Sequence, residues 1–408
     1  MLKNINKTFL IVYTGQAISQ LTSSILQMAI VWYLITETNS SNIVALSGIV
    51  GFLPQGVLGL FIGVYIDRFD RKKIMIISDF LIAAASLSLS VSGFFGEISI
   101  PLIMIVLFIR SIGTSFHVPS LQAITPLIVS KDELPKYSGY SQTLQSISLL
   151  LSPVLASFFF SIWSLQAIVM LDVLGAIIGV FTLCFITIPK IKIDFESTKI
   201  DITLEMKEGI ATLKKNRLFN FMLLGATFSI VYIPIFVLYP MMTLSYFGKN
   251  QWYAGAIEVV FAIGMLIGSL VLGATGGGKR KIITIAFFCF IIGISLSISG
   301  ILGRNMFIGF ALCSTLLGFA TPFYQGLQVV VLQQKIQENY LGRVMSLSGS
   351  LMAIGTPIGI GLSGVISNKI GVENFFLYSG ILIVFISILY LTIQTSEKSR
   401  KIFSASFK

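Results

Sequence analysis

GVYIDRFDRKKIM, residues 63–75, places six charged side chains in the seven positions from Asp67 to Lys73 of a chain in which only 11% of residues are charged. An apolar run, residues 42–66, precedes the cluster and another, 74–96, follows it. A helix rises 1.5 Å per residue, so about 20 apolar residues cross a hydrocarbon layer of roughly 30 Å. The stretch is therefore predicted to be a charged hinge between two membrane spans.

Working outward, the same reading finds twelve spans: 9–34, 42–66, 74–96, 99–121, 138–164, 166–189, 218–246, 252–275, 282–302, 306–332, 344–367 and 374–394. The 408 residues are 55% hydrophobic, which excludes a water-soluble globular domain and predicts an all-α polytopic membrane protein. The first span follows Lys3 and Lys7 but is too long for the apolar core of a signal peptide, and is expected to be retained. Cys184, Cys289 and Cys313 lie inside apolar runs without metal-ligand spacing and read as small buried residues.

Lys and Arg in short loops stay on the cytoplasmic side. With the N-terminus inside, 24 of the 28 basic residues fall in cytoplasmic segments, only Lys249, Arg304 and Lys369 fall outside, and Arg110 lies within a span. Both termini are thus expected in the cytoplasm. The net charge of +11 then calls for anionic inner-leaflet lipid as its partner and for no nucleic acid.

Residues 190–217 form the long polar stretch at mid-chain, and Ile202, Met206, Ile210 and Leu213 make an apolar stripe in it at helical spacing. An amphipathic helix on the inner membrane face is expected. Either side, the halves echo one another: Arg71, Lys72 and Lys73 follow the second span, Lys279, Arg280 and Lys281 the eighth, and Pro153 and Pro357 stand 204 residues apart. The organisation read from this is an N-terminal six-helix bundle over 1–189, the linker 190–217, a C-terminal bundle over 218–395 and a basic tail over 396–408. Such repeats hold substrate near the bilayer midplane and work by rocking one half against the other.

Polar stripes mark a candidate cavity. Gln16, Gln20, Ser23 and Gln27 share one face of the first span; Arg110, Thr114 and His117 do so in the fourth, and Thr321, Gln325 and Gln328 in the tenth. Interhelical bonding alone would also place polar groups there. The ionisable residues within spans are Asp79, Arg110, His117, Asp172 and Glu258, each expensive at that depth and so a functional candidate. A carboxylate in a low-dielectric cavity exchanges its proton nearer neutral pH than in water. Asp172 and Glu258 are the proton-coupling candidates, with Arg110 tuning whichever approaches it; a structural ion pair is the competing role for each.

GATGGGKR, residues 273–280, nearly matches a phosphate-binding loop, but Arg280 stands where a hydroxyl must hold magnesium and a membrane span precedes it. No nucleotide cofactor is expected, and an ion gradient is the predicted energy source.

Twelve spans in two halves with this charged hinge resemble the major facilitator superfamily. Its hinge signature G-x-x-x-D-R-x-G-R-[RK] is matched by Gly63, Asp67, Arg68, Arg71 and Lys72, with Asp70 where glycine is usual. Arg110 in LFIRSIGTSF matches the arginine of a second signature, with Gly113 one place early. The antiporter motif is weak in the fifth span, as Ser152, Pro153 and Ala156, and closer in the eleventh, as Gly355, Pro357 and Gly359. ILQMAIVWYL, FIRSIGTSFHVP, GYSQTLQSIS and YLGRVMSLSGS are similar to the macrolide-efflux branch of the drug/proton antiporters.

The resemblance implies export of bulky amphipathic antibiotics in exchange for protons by a functional monomer in a bacterial cytoplasmic membrane. Macrolides carry a protonated amine and a large apolar body. Gln amides, including Gln142 and Gln145 of GYSQTLQSIS, rings such as Tyr232 and Tyr324, and a carboxylate would suit them. Another solute, such as a lipid, a peptide or a siderophore, fits the same fold. A membrane enzyme with His117 as base is the remote alternative.

Gly59 and Gly63, spaced for close helix approach, face the Gly-rich eleventh span by the resemblance. Asp67 would then meet the positive N-terminal end of that helix, held by Arg71 and with Asp79 as a further partner, as a latch on the cytoplasmic side.

Overall fold

The computed structural model describes residues 7–38, 41–96, 98–189, 202–216 and 218–405. Lys3, linker residues 190–201, Arg217 and residues 406–408 of the tail lie outside them, as do the side chains of Ile202, Met206, Pro357 and the rest of the tail.

The described residues form thirteen α-helices and no strand: α1 (Lys7–Thr38), α2 (Ser41–Arg68), α3 (Arg71–Phe95), α4 (Ile100–Ile128), α5 (Leu134–Ile162), α6 (Leu165–Cys184), α7 (Ile202–Lys215), α8 (Phe219–Met241), α9 (Gln251–Thr275), α10 (Lys281–Ile301), α11 (Phe307–Lys335), α12 (Glu338–Ile370) and α13 (Val372–Ala405). All but α7 contain a stretch long and apolar enough to cross a membrane. α7, fourteen residues within the mid-chain polar stretch, buries Gly209 and Leu213. Several helices run past their apolar cores into the loops, because a helix once nucleated gains one hydrogen bond for each residue added. The eleventh predicted span, 344–367, is thus the middle of α12.

The face of the membrane carrying the α2–α3 hinge is called the basic face here. At that hinge the Asp70 carboxylate accepts from the backbone N–H groups of Lys72 (3.0 Å) and Lys73 (3.3 Å), capping α3. This gives the aspartate a local job at the position where the hinge signature has glycine. Between α9 and α10, Gly276, Gly277 and Gly278 all take positive φ (63°, 67° and 74°), a turn open to glycine alone without strain. Lys281 Nζ donates to the Gly276 and Gly278 carbonyls, both at 2.5 Å. The near-phosphate motif is thus a tight turn whose carbonyls meet a cation.

The chain divides into two compact units. The first joins residues 1–131, 147–212 and 336–354, so it takes α1 to α4, the second part of α5, α6, most of α7 and the start of α12. Small residues draw its helices together: an added Cβ at Gly15 would fall on Thr182, at Gly175 on Thr22 and at Gly179 on Ser19, which sets α1 tightly against α6. On α2, Cβ atoms at Gly59 and Gly63 would strike Ser350 and the Arg343 backbone of α12. The second unit joins 132–146, 213–335 and 355–408. There Gly264 and Gly268 of α9 lie on the backbone of α11 at Thr315 and Phe319, and Gly139 of α5 lies on that of Gly273. α5 and α12 therefore each contribute their basic-face part to one unit and the remainder to the other.

Candidate functional site

In the first unit, α1, α3, α4 and α6 bring four polar residues to one point. Arg110 Nη1 lies 2.5 Å from Asp172 Oδ2, both side chains buried. Ser23 Oγ donates to Asp172 Oδ1 (2.6 Å), and Ser86 Oγ, which accepts from Arg110, stands 3.0 Å from Oδ2. Arg110 Nη2 also donates to the Ser23 carbonyl (3.4 Å). A charge moved from water to a low-dielectric interior costs several kcal/mol. It is tolerated here because both carboxylate oxygens are partnered and the opposite charge is in contact.

Toward the basic face the next polar layer holds Asp79 of α3. Its Oδ1 is 3.3 Å from His117 Nε2 of α4, and its Oδ2 accepts from Gln16 Nε2 of α1 (3.4 Å). Gln16 also reaches the Gly179 carbonyl of α6 (3.4 Å).

At the basic face itself Asp67 is fully buried. Its Oδ1 accepts from the backbone N–H of Gly342 (2.7 Å), and its Oδ2 from that of Arg343 (3.0 Å). Arg71 donates to Asp67 (3.2 Å), to the Ala123 carbonyl (2.9 Å) and to the Glu338 carbonyl (2.6 Å). In a continuous helix the Glu338 carbonyl would pair with the Gly342 N–H. The Asp67–Arg71 pair thus engages both ends of that bond in α12. Arg343 in turn binds Glu208 of α7 through Nη1 (2.9 Å).

The second unit has a neutral counterpart. Tyr232 OH and Thr321 Oγ1 are 2.5 Å apart. The Tyr324 and Tyr390 hydroxyls lie 3.1 Å apart, and Gln328 Nε2 donates to Tyr390 (2.6 Å). Phe228 packs on both Tyr232 and Tyr324, with ring centroids 4.8 and 3.9 Å away.

Twelve membrane-crossing helices, the hinge chemistry of Gly63, Asp67, Arg68, Arg71 and Lys72, and the buried arginine in α4 are now in place. The sequence profile of the Major Facilitator Superfamily matches residues 12–275 and 247–407. The chain belongs to the major facilitator superfamily. It is 45% identical over 391 residues to Macrolide efflux protein A of Streptococcus pyogenes, covering 96% of both chains. Macrolide efflux protein A of Enterococcus faecalis is 46% identical over 321 residues, 78% of this chain and 99% of the relative. Among solved structures, a bacterial homologue of the iron transporter ferroportin in an outward-facing state superposes with a TM-score of 0.79 at 13% identity. It covers 95% of this chain and 100% of that one, a likeness of fold.

Within this superfamily member, the structure sorts the residues singled out from sequence. Of the α1 stripe, Gln16 and Ser23 are engaged by carboxylates, Gln27 is half-buried and Gln20 is exposed. Thr114 bonds back to the Arg110 carbonyl (3.0 Å). Asp172 is the carboxylate that Arg110 meets. Glu258 is exposed on α9 and has no hydrogen-bond or ion-pair partner among the described residues. Gln328 is buried, Gln325 and Gln142 are half-buried, and Gln145 is exposed. Lys72 donates to the Ile186 carbonyl beyond α6 (2.7 Å), and Arg68 is half-buried. Pro153 is exposed, whereas Gly355 and Gly359 seat α12 on Ile230 of α8.

Sequence reasoning missed Ser86, Arg343, Glu208 and Tyr390. A serine and a tyrosine in apolar runs, an arginine just before a predicted span and a glutamate on the linker helix carry no pattern of their own. Only Arg343, five residues into α12 beside glycine, stood near a recognisable motif.

Proposed function

We propose that this protein exports amphipathic, amine-bearing drugs of the macrolide class in exchange for protons, by alternating access of its two sequence halves. The observation that carries the reading is the 45% identity to a macrolide efflux protein along 96% of both chains. By the distribution of Lys and Arg the basic face is cytoplasmic, with both termini in the cytoplasm of a bacterial cell and inner-leaflet anionic lipid against the loops.

The Arg110–Asp172 pair supports the coupling half of the proposal. A proton added to Asp172 cancels the charge that compensates Arg110, so protonation and release of the guanidinium are linked. Glu258, exposed and without a charged partner among the described residues, suits a protonated substrate amine. The Asp67–Arg71 contacts with α12 suit a latch that is made and broken once per cycle.

Inside-out vesicles carrying the protein, given a proton gradient, should accumulate a macrolide such as erythromycin and lose that uptake when the gradient is collapsed. Gradient-independent uptake, or none for any macrolide, overturns the reading. A panel that includes a siderophore, a lipid and a peptide decides between solutes.

A further inference from the structure

We infer that Asp79 and His117 form the site from which the transported proton leaves the protein on the cytoplasmic side, an inference that rests on the antiport reading above. His117 is the single histidine of the chain. Imidazole is the side chain whose ordinary chemistry changes charge between about pH 5 and 8.

Three observations point here. First, His117 Nε2 is buried, makes no hydrogen bond among the described residues and lies 3.3 Å from Asp79 Oδ1, so a proton on this nitrogen would sit within ion-pair reach of the carboxylate. Second, the His117 side chain is 14% exposed and that of Asp79 6%, so the imidazole is the more open member of the pair.

Third, the pair is the middle of three polar layers at the α3–α4 interface. Arg71 reaches Ala123, Asp79 meets His117, and Ser86 meets Arg110. His117 is seven residues from Arg110, about 10 Å along the helix, and Asp79 is eight from Arg71. The site therefore sits between the buried ion pair and the basic face.

The charged groups around it are already matched. Arg110 is held by Asp172 of α6, Arg71 by Asp67 of α2, and the Lys72 ammonium by the Ile186 carbonyl. α1 presents Gln16, bonded to Asp79, and Tyr13, whose hydroxyl is 2.5 Å from Thr125 Oγ1; neither supplies a competing charge. One proton accounts for both states. Bound, it makes an imidazolium–carboxylate pair of net charge zero. Released to cytoplasmic water, it leaves neutral imidazole beside a carboxylate, net charge minus one.

The test uses the purified protein in proteoliposomes with radiolabelled erythromycin and a trapped pH dye. In H117Q and D79N, the ratio of gradient-driven accumulation to erythromycin counterflow, which moves no net proton, should fall about a hundredfold, the scale on which a positioned proton-transfer group acts. H117K, which keeps a cation for Asp79, should behave alike and covers the case in which D79N fails to fold. Histidine 15N labelling reports on this one ring, and its resonances should show both neutral and doubly protonated imidazole across the pH range of transport. A ring fixed in one state, or H117Q accumulating drug with the wild-type dependence on cytoplasmic-side pH, overturns the inference. A wild-type protein that moves no proton fails the antiport reading and this inference with it.

Discussion

The Arg71 guanidinium donates to the Glu338 carbonyl at 2.6 Å, joining the start of α3 to the start of α12 across 267 positions of sequence. The same arginine holds Asp67, whose carboxylate takes the N–H groups one turn further along α12. The pair thus grips the first turn of α12 from α2 and α3. Asp67→Asn keeps the size but loses the charge and the ion pair. The variant is expected to insert normally and to turn over about tenfold more slowly in vesicle transport, an effect of about 1.4 kcal/mol on the rate-limiting step. Wild-type turnover would leave the hinge as a topology signal only.

Gly63 makes that contact sterically feasible, since a Cβ there would fall on the Arg343 backbone and on Ser346, whereas Gly48 on the same helix has open space around it. Gly63→Ala should destabilise by about 1–3 kcal/mol, the usual cost of overpacking. Gly48→Ala should be neutral or gain about 0.5–1 kcal/mol from helix propensity. Thermal unfolding in detergent separates the two, and equal shifts would refute the close α2–α12 approach.

The Arg110–Asp172 pair predicts non-additivity. Removing one partner leaves a buried charge and costs about 3–5 kcal/mol, so D172N and R110Q should each unfold at markedly lower temperature. The double variant should lose less than the sum of the two, because no uncompensated charge remains. Additive losses would mean that the two residues do not depend on each other.

Glu208 presents a contrast. Its bond to Arg343 is short, but its side chain is 47% exposed. Exposed pairs contribute about 0–1 kcal/mol, so E208Q should transport within about twofold of wild type at physiological salt. A larger loss would assign α7 a role in positioning α12.

In the second unit, Tyr390 accepts from Gln328, and its hydroxyl is hydrogen-bonded to that of Tyr324. Tyr390→Phe leaves the Gln328 amide buried without that acceptor and should cost about 1–3 kcal/mol in unfolding. Erythromycin binding, followed by calorimetry, should change little if this cluster only braces the unit.

Most of the architecture was legible because hydropathy and loop charge are properties of a local window. Twelve apolar runs became twelve helices, with ends displaced most where α4, α12 and α13 continue beyond the apolar core and where α6 stops short of it. The hinge was legible for the same reason, since six charges stand out against an apolar background. The site was legible only as residue types. Gln16, Gln20 and Ser23 share a helical face, yet two are engaged and one is exposed. The difference lies in where α3 and α6 place their carboxylates.

From sequence alone, the number of spans, the charged hinge and the set of costly intramembrane ions were determined, because each follows from the transfer of a local segment out of water. Tertiary structure decided the pairings: Asp172 for Arg110, His117 for Asp79, and the backbone of Gly342 and Arg343 for Asp67. A buried charge must find an opposite charge or donors within about 3 Å. Which group stands there depends on glycine-mediated approach between helices that are up to 276 residues apart in the chain.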